Sequence, residues 1–267
     1  MTKIILRNLT FSYKDQNGEF TVLKEINLSV AEGEFISIVG PSGCGKSTLI
    51  SLFAGLLFPS SGSILLDGRE IIGTGNDRGV VFQHYSLSPW MSARKNLIFG
   101  LKQVKKGSSR KEIEQIADTY LELVGLEDFK NHYPFQLSGG MQQRIAMARA
   151  LAMGPDILLM DEPFGAVDTK NRLALQELLL KLWEDGKKTT TVVFVTHDID
   201  EAILLADRII VMSSGSGTIK KEITVPFTRP RDKSQLFRTS PYAELRNRLV
   251  GLFYDDLLEE REDEIVF

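Results

Sequence analysis

The stretch GPSGCGKST at residues 40–48 decides the fold. It matches the pattern G-x-x-x-x-G-K-[ST], and it stands between an apolar segment, GEFISIVG, and a segment of helical character, KSTLISLFAGLL. Glycines let the backbone curl so that successive N–H groups converge on phosphate oxygens, and the start of the helix adds its positive end. The pattern therefore predicts a buried strand, a phosphate-binding loop and a helix, in that order.

The side chains of this loop suit a nucleotide. Lys46 can place a cation on the β- and γ-phosphates, and the Ser47 hydroxyl can be a ligand of Mg²⁺. Cys44 is the only cysteine of the chain, and it lies close to Lys46 and to the positive end of the helix, so we expect its thiolate to be favoured. The predicted ATP-binding residues of the loop are Gly40, Pro41, Ser42, Gly43, Cys44, Gly45, Lys46, Ser47 and Thr48.

Polar residues also follow three other apolar segments. Asp161 and Glu162 follow DILLM, His197 follows TVVFVT, and Gln83 follows VVF. Because open α/β sheets bind ligands at the carboxyl ends of their strands, we expect these side chains near the nucleotide. Asp161 is suited to hold Mg²⁺ and Glu162 to polarise the attacking water. His197 could donate to the γ-phosphate or position the water, and the Gln83 amide oxygen could contact Mg²⁺. Without the phosphate loop, each would be an ordinary strand-ending polar residue.

The pattern along the rest of the chain predicts an α/β fold. KIILRNLTFSY and TVLKEINLSV flank the turn cluster DQNGE and predict N-terminal antiparallel strands. From about 86 to 155 the apolar spacing is helical, and PDILLMDEP and TTTVVFVTHD then return to buried strands. This alternation favours a mostly parallel sheet core with an inserted helical subdomain. The acidic stretch DDLLEEREDE at 255–264 predicts a solvated or frayed end.

Composition narrows the classes of protein. The 267 residues are 43% hydrophobic and 25% charged with a net charge of −3, so no basic surface indicates a nucleic-acid partner. One cysteine excludes an internal disulfide and fits a reducing compartment. The start lacks the pattern of a signal peptide, and the most apolar run, LISLFAGLLF at 49–58, is too short to span a bilayer. We therefore expect a soluble, cytoplasmic protein that contacts membranes only through a partner.

Taken together, these motifs resemble the ATPase subunit of ABC transporters. The resemblance rests on GPSGCGKST, Gln83, LSGGM at 137–141, ILLMDEP, Asp168 and His197, in the order and spacing of that family. It implies a P-loop NTPase (RecA-like) core, with a nucleotide-binding domain at 1–225, its helical subdomain inserted at about 86–155, and a short C-terminal extension at 226–267. Met141, the stretch FGAVD and the segment PFTRPRDKS at 226–234 are similar to the nitrate/sulfonate/taurine importer branch.

The resemblance also implies roles for further residues. Tyr13 would stack on adenine, with core packing as the alternative, and Gln83 would link Mg²⁺ to the transmembrane partner. Ser138, Gly139 and Gly140 would bind the nucleotide held by a second subunit, and Asp168 would reach across to that subunit. The simpler interpretation of Ser138 is an ordinary helix N-cap. Trp90 would meet the permease, with a role in covering the helical subdomain's own core as the alternative.

The predicted function is therefore that of an ATP-hydrolysing subunit that dimerises around two ATP–Mg²⁺ and drives a membrane permease from the cytoplasmic face. The second subunit is another copy or a close homologue. The predicted cargo is a small oxyanion or an organic sulfonate, delivered by an extracytoplasmic binding protein. Three alternatives remain at this point: an exporter or lipoprotein-release ATPase, a soluble ABC ATPase acting in DNA repair or on ribosomes, and a P-loop kinase, for which LSGGM would have no task.

Overall fold

The computed structural model describes residues 1–15, 18–83, 86–165, 167–184, 190–213, 215 and 217–264. The strands in these ranges are β1 (Thr2–Asp15), β2 (Gly18–Ala31), β3 (Phe35–Val39), β4 (Ser61–Leu66), β5 (Arg69–Glu70), β6 (Arg78–Val81), β7 (Ile157–Asp161), β8 (Thr191–Val195), β9 (Arg208–Met212) and β10 (Ile219–Thr224). The α-helices are α1 (Lys46–Phe53), α2 (Ala93–Val104), α3 (Arg110–Leu123), α4 (Gly139–Ala152), α5 (Thr169–Glu184), α6 (Ile199–Leu205), α7 (Lys233–Leu236) and α8 (Ser240–Glu264).

The chain forms two compact units. The first contains Met1–Thr74 and Val193–Phe267, and the second contains Gly75–Val192. Strands and helices alternate through both, and β8 runs across the boundary between them. The predicted α/β class is therefore confirmed.

An antiparallel sheet in the first unit begins the chain. Its strand order is β2-β1-β4-β5, and β1 pairs with β2 along almost its whole length. Buried residues on β1 and β2 are mostly two apart, which is typical of a sheet with one covered face, and register shifts widen the spacing to three residues at one point on each strand. The buried residues are Ile4, Leu6, Leu9 and Phe11 on β1, and Leu23, Ile26, Leu28 and Val30 on β2. The predicted N-terminal antiparallel strands are confirmed.

A second strand arrangement in the first unit carries the phosphate loop. Strand β3 pairs in parallel with β9, and β10 pairs with β9 in the antiparallel direction. Every residue of β3 is buried, as expected for a strand covered on both faces. Since β3 ends at Val39 and α1 begins at Lys46, the loop lies between a buried strand and a helix, as predicted.

The second unit combines a parallel strand pair with a helical cluster. Strand β6 pairs with β7, and Val81 lies opposite Met160 at their carboxyl ends. Each of the helices α2, α3 and α4 is preceded by a serine that caps its N-terminus; these N-cap residues are Ser92, Ser109 and Ser138. Their shared core is formed by Ala93, Leu97, Leu101, Ile113, Ala117, Leu121, Val124, Leu126, Leu137, Ile145, Ala148 and Ala152.

The C-terminal segment, which was expected to be solvated or frayed, is a continuous helix. The backbone is helical from Ser240 to Glu264, so α8 includes the acidic stretch at 255–264. Tyr242 and Leu245 are buried and Leu249 is fully buried, which fixes the first part of the helix on the first unit. This apolar spacing of three and four residues indicates a helix, and the acidic residues that follow it in the sequence obscure the pattern.

Candidate functional site

Two glycines shape the phosphate loop. Gly45 is the N-cap of α1 and has a φ of 96°, a left-handed conformation that glycine adopts at little cost. Gly40 is confined by its surroundings, because a Cβ built there would lie 2.7 Å from Cys44 Sγ and 2.9 Å from the carbonyl oxygen of Met212. Glycine is therefore required at position 45 by the backbone conformation and at position 40 by the lack of space for a Cβ.

Lys46 folds back over the loop from the first position of α1. Its ammonium group donates hydrogen bonds to the carbonyl oxygens of Gly40 at 2.8 Å and Pro41 at 2.7 Å, and the residue is only 6% exposed. Ser47, the next residue, is exposed. A held cation at the start of a helix, next to a serine at the surface, is an arrangement suited to a polyphosphate ligand.

The expectation that the thiolate form of Cys44 is favoured is wrong. The thiol is 3% exposed, and burial raises its pKa, an effect that outweighs the attraction of the Lys46 ammonium 3.8 Å away. The sequence shows the nearby cation, but burial arises only when the loop has folded. Cys44 is therefore a packed part of the loop and a poor nucleophile at neutral pH.

Tyr13 lies on the strand pair that borders the loop. On β1, Phe11 pairs with Leu23 of β2, and Leu23 approaches the loop so closely that a Cβ on Gly45 would lie 2.6 Å from its Cδ2. Tyr13 packs edge to face on Phe11, with ring centroids 4.8 Å apart, and is 47% exposed. The core-packing alternative is therefore excluded, and the ring is accessible on the strand beside the phosphate loop.

His197 is brought toward the loop by a backbone hydrogen bond. The N–H of Thr196 donates to the carbonyl oxygen of Ile38 on β3 at 3.2 Å, two residues before the loop begins. His197 follows at once and is exposed, and Asp198 then caps the helix α6. The first unit thus places His197 beside the strand that leads into the phosphate loop.

The second unit brings together Gln83, Asp161 and Glu162. Asp161 ends β7, and Gln83 comes two residues after the end of the neighbouring parallel strand β6. Glu162 has a φ of 43°, and the Gly165 N–H donates to its carbonyl oxygen at 3.1 Å. A non-glycine residue at this φ is strained, and such strain concentrates at functional sites. Carboxylate and amide oxygens are also the ligand atoms with which proteins bind Mg²⁺.

The LSGGM segment leads into α4, with Ser138 exposed and Gly139 and Gly140 half-buried. Ser138 is its N-cap and accepts a hydrogen bond from the Met141 N–H at 3.3 Å, so the N-cap interpretation is confirmed. Met141 packs against the core of the helical cluster. Gly140 lies against the next loop, because a Cβ there would be 3.7 Å from Asn171 Cβ and 3.8 Å from Val167 Cγ1.

Asp168 stands in that neighbouring loop. Its two carboxylate oxygens accept hydrogen bonds from Asn171, one from the backbone N–H at 3.1 Å and one from the side-chain amide at 2.6 Å. Both Ser138 and Asp168 are exposed. A helix N-terminus and a carboxylate loop therefore share one face of the second unit, as they would in a surface that meets another molecule.

Trp90 is also exposed, by 73% of its surface, which excludes the alternative that it covers the core of the helical cluster. A cleft of about 440 Å³ lies nearby and is lined by Met91, Ile98 and the half-exposed Phe99, among others.

In the described part of the chain, no helix is both long and apolar enough to cross a membrane.

The sequence analysis missed one group of residues. Arg229, Arg231, Tyr242 and Arg246, all in the extension after residue 225, donate hydrogen bonds to α6 or to its ends. Both arginines of the stretch PFTRPRDKS at 226–234 belong to this group. Their partners on α6 and at its end are more than twenty residues away along the chain, so the sequence around the arginines carries no local pattern for these contacts.

Comparisons with known proteins identify the family of this chain. A family profile described as ABC transporter matches residues 23–165. The nitrate import ATP-binding protein NrtD of Synechococcus elongatus is 46% identical over 91% of this chain and 88% of its own. The bicarbonate transport ATP-binding protein CmpD of Synechocystis sp. is 43% identical over 94% of this chain and 89% of its own.

Solved structures of ABC transporter cassettes are similar to this chain in fold and in sequence. The dimeric structure of MJ0796, described as a bacterial ABC transporter cassette, has a TM-score of 0.76 and 39% identity, covering 84% of this chain and all of that chain. The post-hydrolysis form of the same cassette, bound to ADP and Pi, has a TM-score of 0.75.

The fold and the loop define a P-loop NTPase that binds nucleotide at the end of a buried strand. The chain belongs to the ABC transporter family, as the ATP-binding component. It is an ABC ATPase of a transporter, and it binds ATP. The resemblance to the branch that includes nitrate importers is confirmed. The P-loop kinase and the soluble ATPase alternatives are thereby excluded.

Proposed function

We propose that this ATPase energises the import of a small oxyanion or an organic sulfonate. The proposal is supported by two relatives whose names state a cargo, nitrate in one and bicarbonate in the other, because both are small oxyanions. In this proposal residues 1–225 form the nucleotide-binding domain, with a helical subdomain inserted at about 86–155, and residues 226–267 form an extension.

The ATPase is proposed to work as a dimer, and the observation that carries this part of the proposal is the start of α4, where the exposed Ser138 lies beside the loop of Asp168. Ser138, Gly139 and Gly140 offer backbone N–H groups at the positive end of a helix, which can bind phosphate. The exposure of Ser138, beside the half-buried Gly139 and Gly140, suits a nucleotide that another subunit presents, as in a head-to-tail dimer that closes around two ATP molecules. The neighbouring cassette MJ0796 is a dimer in its solved structures.

Each predicted residue has a role in this mechanism. Lys46 and the loop N–H groups hold the phosphates, and Tyr13 stacks on adenine. Glu162 accepts a proton from the attacking water, and His197 orients the γ-phosphate or the water. Ser47, Gln83 and Asp161 supply the hard oxygen ligands that would hold Mg²⁺, which neutralises phosphate charge when bound. Asp168 contacts the second subunit.

The proposed partners are a second ATPase subunit, transmembrane permease subunits and, indirectly, an extracytoplasmic binding protein. Gln83 and the nearby Trp90 would transmit nucleotide occupancy to the permease. The ATPase would then act as a peripheral subunit at the cytoplasmic face of the membrane. The remaining alternative is the ATPase of an exporter or lipoprotein-release system, which uses the same phosphate loop and signature.

The test is transport in cells that lack the gene. Complementation with the wild-type chain should restore uptake of labelled nitrate, bicarbonate or taurine, whereas Lys46→Ala should not. Tagged protein should also copurify with a multi-spanning subunit from detergent extracts. Efflux of cargo, or release of lipoprotein, in place of uptake would overturn the import proposal. Purification without any membrane subunit would contradict the partner assignment.

A further inference from the structure

The short helix α6 begins two residues after His197, and its C-terminal end is held by arginines from the extension. Arg231 Nη1 donates hydrogen bonds to the carbonyl oxygens of residues 203, 204 and 206, at 3.0, 3.1 and 2.6 Å. Arg229 Nη2 donates to the carbonyl oxygen of Leu205. Carbonyls at the end of a helix lack partners within the helix, so these two side chains complete the bonding of the last turn.

Arg231 is placed there against the cost of burial. Its side chain is 2% exposed, and burial together with the neighbouring Arg229 lowers its pKa to about 10. A buried cation is expensive unless hydrogen bonds and negative ends of dipoles surround it. The carbonyl groups at the C-terminal end of α6 provide both the hydrogen bonds and the negative end of the helix dipole. Arg231 is therefore a buried, specific contact that holds α6 in place.

The N-terminal end of α6 is held by the helix α8. Tyr242 donates its hydroxyl hydrogen to Asp200 Oδ1 at 2.5 Å, and Arg246 Nε donates to the same oxygen at 2.8 Å. Tyr242 is buried, and burial together with the Asp200 carboxylate raises its pKa. The hydroxyl therefore remains a proton donor at all physiological pH values.

His197 is joined to this held helix on both sides. The Asp198 carboxylate accepts hydrogen bonds from the N–H groups of Asp200 and Glu201, at 2.9 and 3.2 Å. Thr196 donates its hydroxyl to Glu201 Oε2 at 2.7 Å, and the Asp198 N–H donates to the same hydroxyl. His197 therefore lies between two residues that are bonded to the first turn of α6, so a shift of α6 moves His197.

A helix as short as α6, with seven residues, is not stable by its own hydrogen bonds. Its position depends on what surrounds it, and the extension supplies bonds at both of its ends. We propose that residues 226–252 form a clamp that positions His197 for ATP hydrolysis, with Arg231 and Tyr242 as positioning residues. This inference rests on the proposed role of His197 at the γ-phosphate.

The experiment measures ATP hydrolysis and nucleotide binding in variants that loosen each end of α6. One variant combines Tyr242→Phe with Arg246→Gln, which removes both donors to Asp200 and keeps the buried ring. The second is Arg231→Gln. We expect kcat to fall at least about tenfold in each, since a small misplacement of a catalytic group is costly, while KM for ATP changes less than about twofold. Circular dichroism and thermal unfolding verify that each variant is folded.

The matched control is Lys220→Gln. Lys220 on β10 donates a hydrogen bond to the carbonyl oxygen of Leu252 on α8 at 3.0 Å, so the variant loosens the same extension away from α6. Its kcat should be that of the wild type. An equal loss of kcat in this control would reduce the clamp to a general stabilising role and overturn the inference.

Combination with His197→Ala separates this inference from the proposed function. If the clamp acts through His197, the clamp substitutions should cause no further loss in the His197→Ala background. Additive losses, or unchanged kcat in folded Tyr242→Phe/Arg246→Gln protein, would overturn the clamp while leaving His197 catalytic. Wild-type activity of His197→Ala itself would instead refute the proposed role of His197.

Discussion

Glu162 adopts a backbone conformation with a φ of 43° directly after β7. The turn that closes on Gly165 holds this conformation, so the direction in which the side chain leaves the strand is fixed by the backbone. A carboxylate with a fixed direction is what proton abstraction from a water molecule requires.

We predict that Glu162→Gln retains ATP affinity and loses turnover by about 10²–10⁴-fold, because the amide cannot accept the proton of the attacking water. ATP binding and phosphate release measure the two effects. Glu177→Gln, the same change at an exposed position on α5, is the control and should behave as the wild type. Hydrolysis by Glu162→Gln within about threefold of the wild type would remove Glu162 from the mechanism.

Cys44 permits a second test at the residue scale. Because burial raises its pKa, the fraction of thiolate at pH 8 is smaller than in free cysteine, and it grows only as the pH rises through the raised value. We therefore expect slow alkylation by iodoacetamide at pH 8, faster alkylation as the pH rises through the raised pKa, and further slowing by saturating ATP. Urea-unfolded protein gives the rate of an unhindered thiol. Equal rates in folded and unfolded protein would contradict the buried position.

At the scale of elements, the region before α2 presents Trp90 to solvent beside the cleft lined by Met91 and Phe99. Aromatic side chains at the centre of a groove often dominate binding. Trp90 is exposed and directly precedes Met91, which lines the cleft, so its indole is placed to anchor a partner segment.

Trp90→Ala should weaken copurification with the permease at least about tenfold, since a buried aromatic anchor contributes about 2 kcal/mol or more. The free energy of unfolding of the isolated ATPase should change by less than about 0.5 kcal/mol. Phe20→Ala on β2 is the control, because Phe20 is 69% exposed and lies in the other unit. Strong destabilisation of the isolated chain by Trp90→Ala would point to a structural role.

The elements also mark the limit of prediction from sequence. The strand, loop and helix around residues 40–48 were predictable because glycine, lysine and serine spacing is a local requirement of phosphate binding. The burial of Cys44 and the partners of Arg231 were not, because both depend on contacts between distant segments. Helix α8 was missed for a different reason: its acidic end concealed the buried spacing of Tyr242, Leu245 and Leu249.

At the scale of the whole molecule, the proposed dimer makes each active site depend on two chains. Lys46→Ala should disable the phosphate loop, and Ser138→Arg should block the exposed start of α4 with a bulky cation. Each variant alone should be inactive. A mixture should recover hydrolysis, up to roughly half the wild-type rate per mixed dimer if the sites act independently, because one site then has an intact loop and an intact signature.

The control for this mixing experiment carries both substitutions on one chain and is mixed with the wild type. If the contacts are made between chains, both sites of that mixed dimer are defective. If they are made within one chain, one site remains wholly intact. Hydrolysis by the isolated mixed dimer of the control, together with none by the mixed dimer of the single variants, would therefore refute the head-to-tail dimer.

The division of the first unit into two stretches of chain has a consequence for biosynthesis. Phe35, at the start of β3, hydrogen-bonds to Asp207, which lies 172 residues later and just before β9. The second unit is continuous, so all of it emerges from the ribosome before β9 does. Long-range strand pairing is slow and leaves apolar edges open until the partner arrives. A nascent chain that stalls before β9 therefore leaves one backbone edge of the otherwise buried strand β3 unpaired, and the cell must shield it until synthesis resumes.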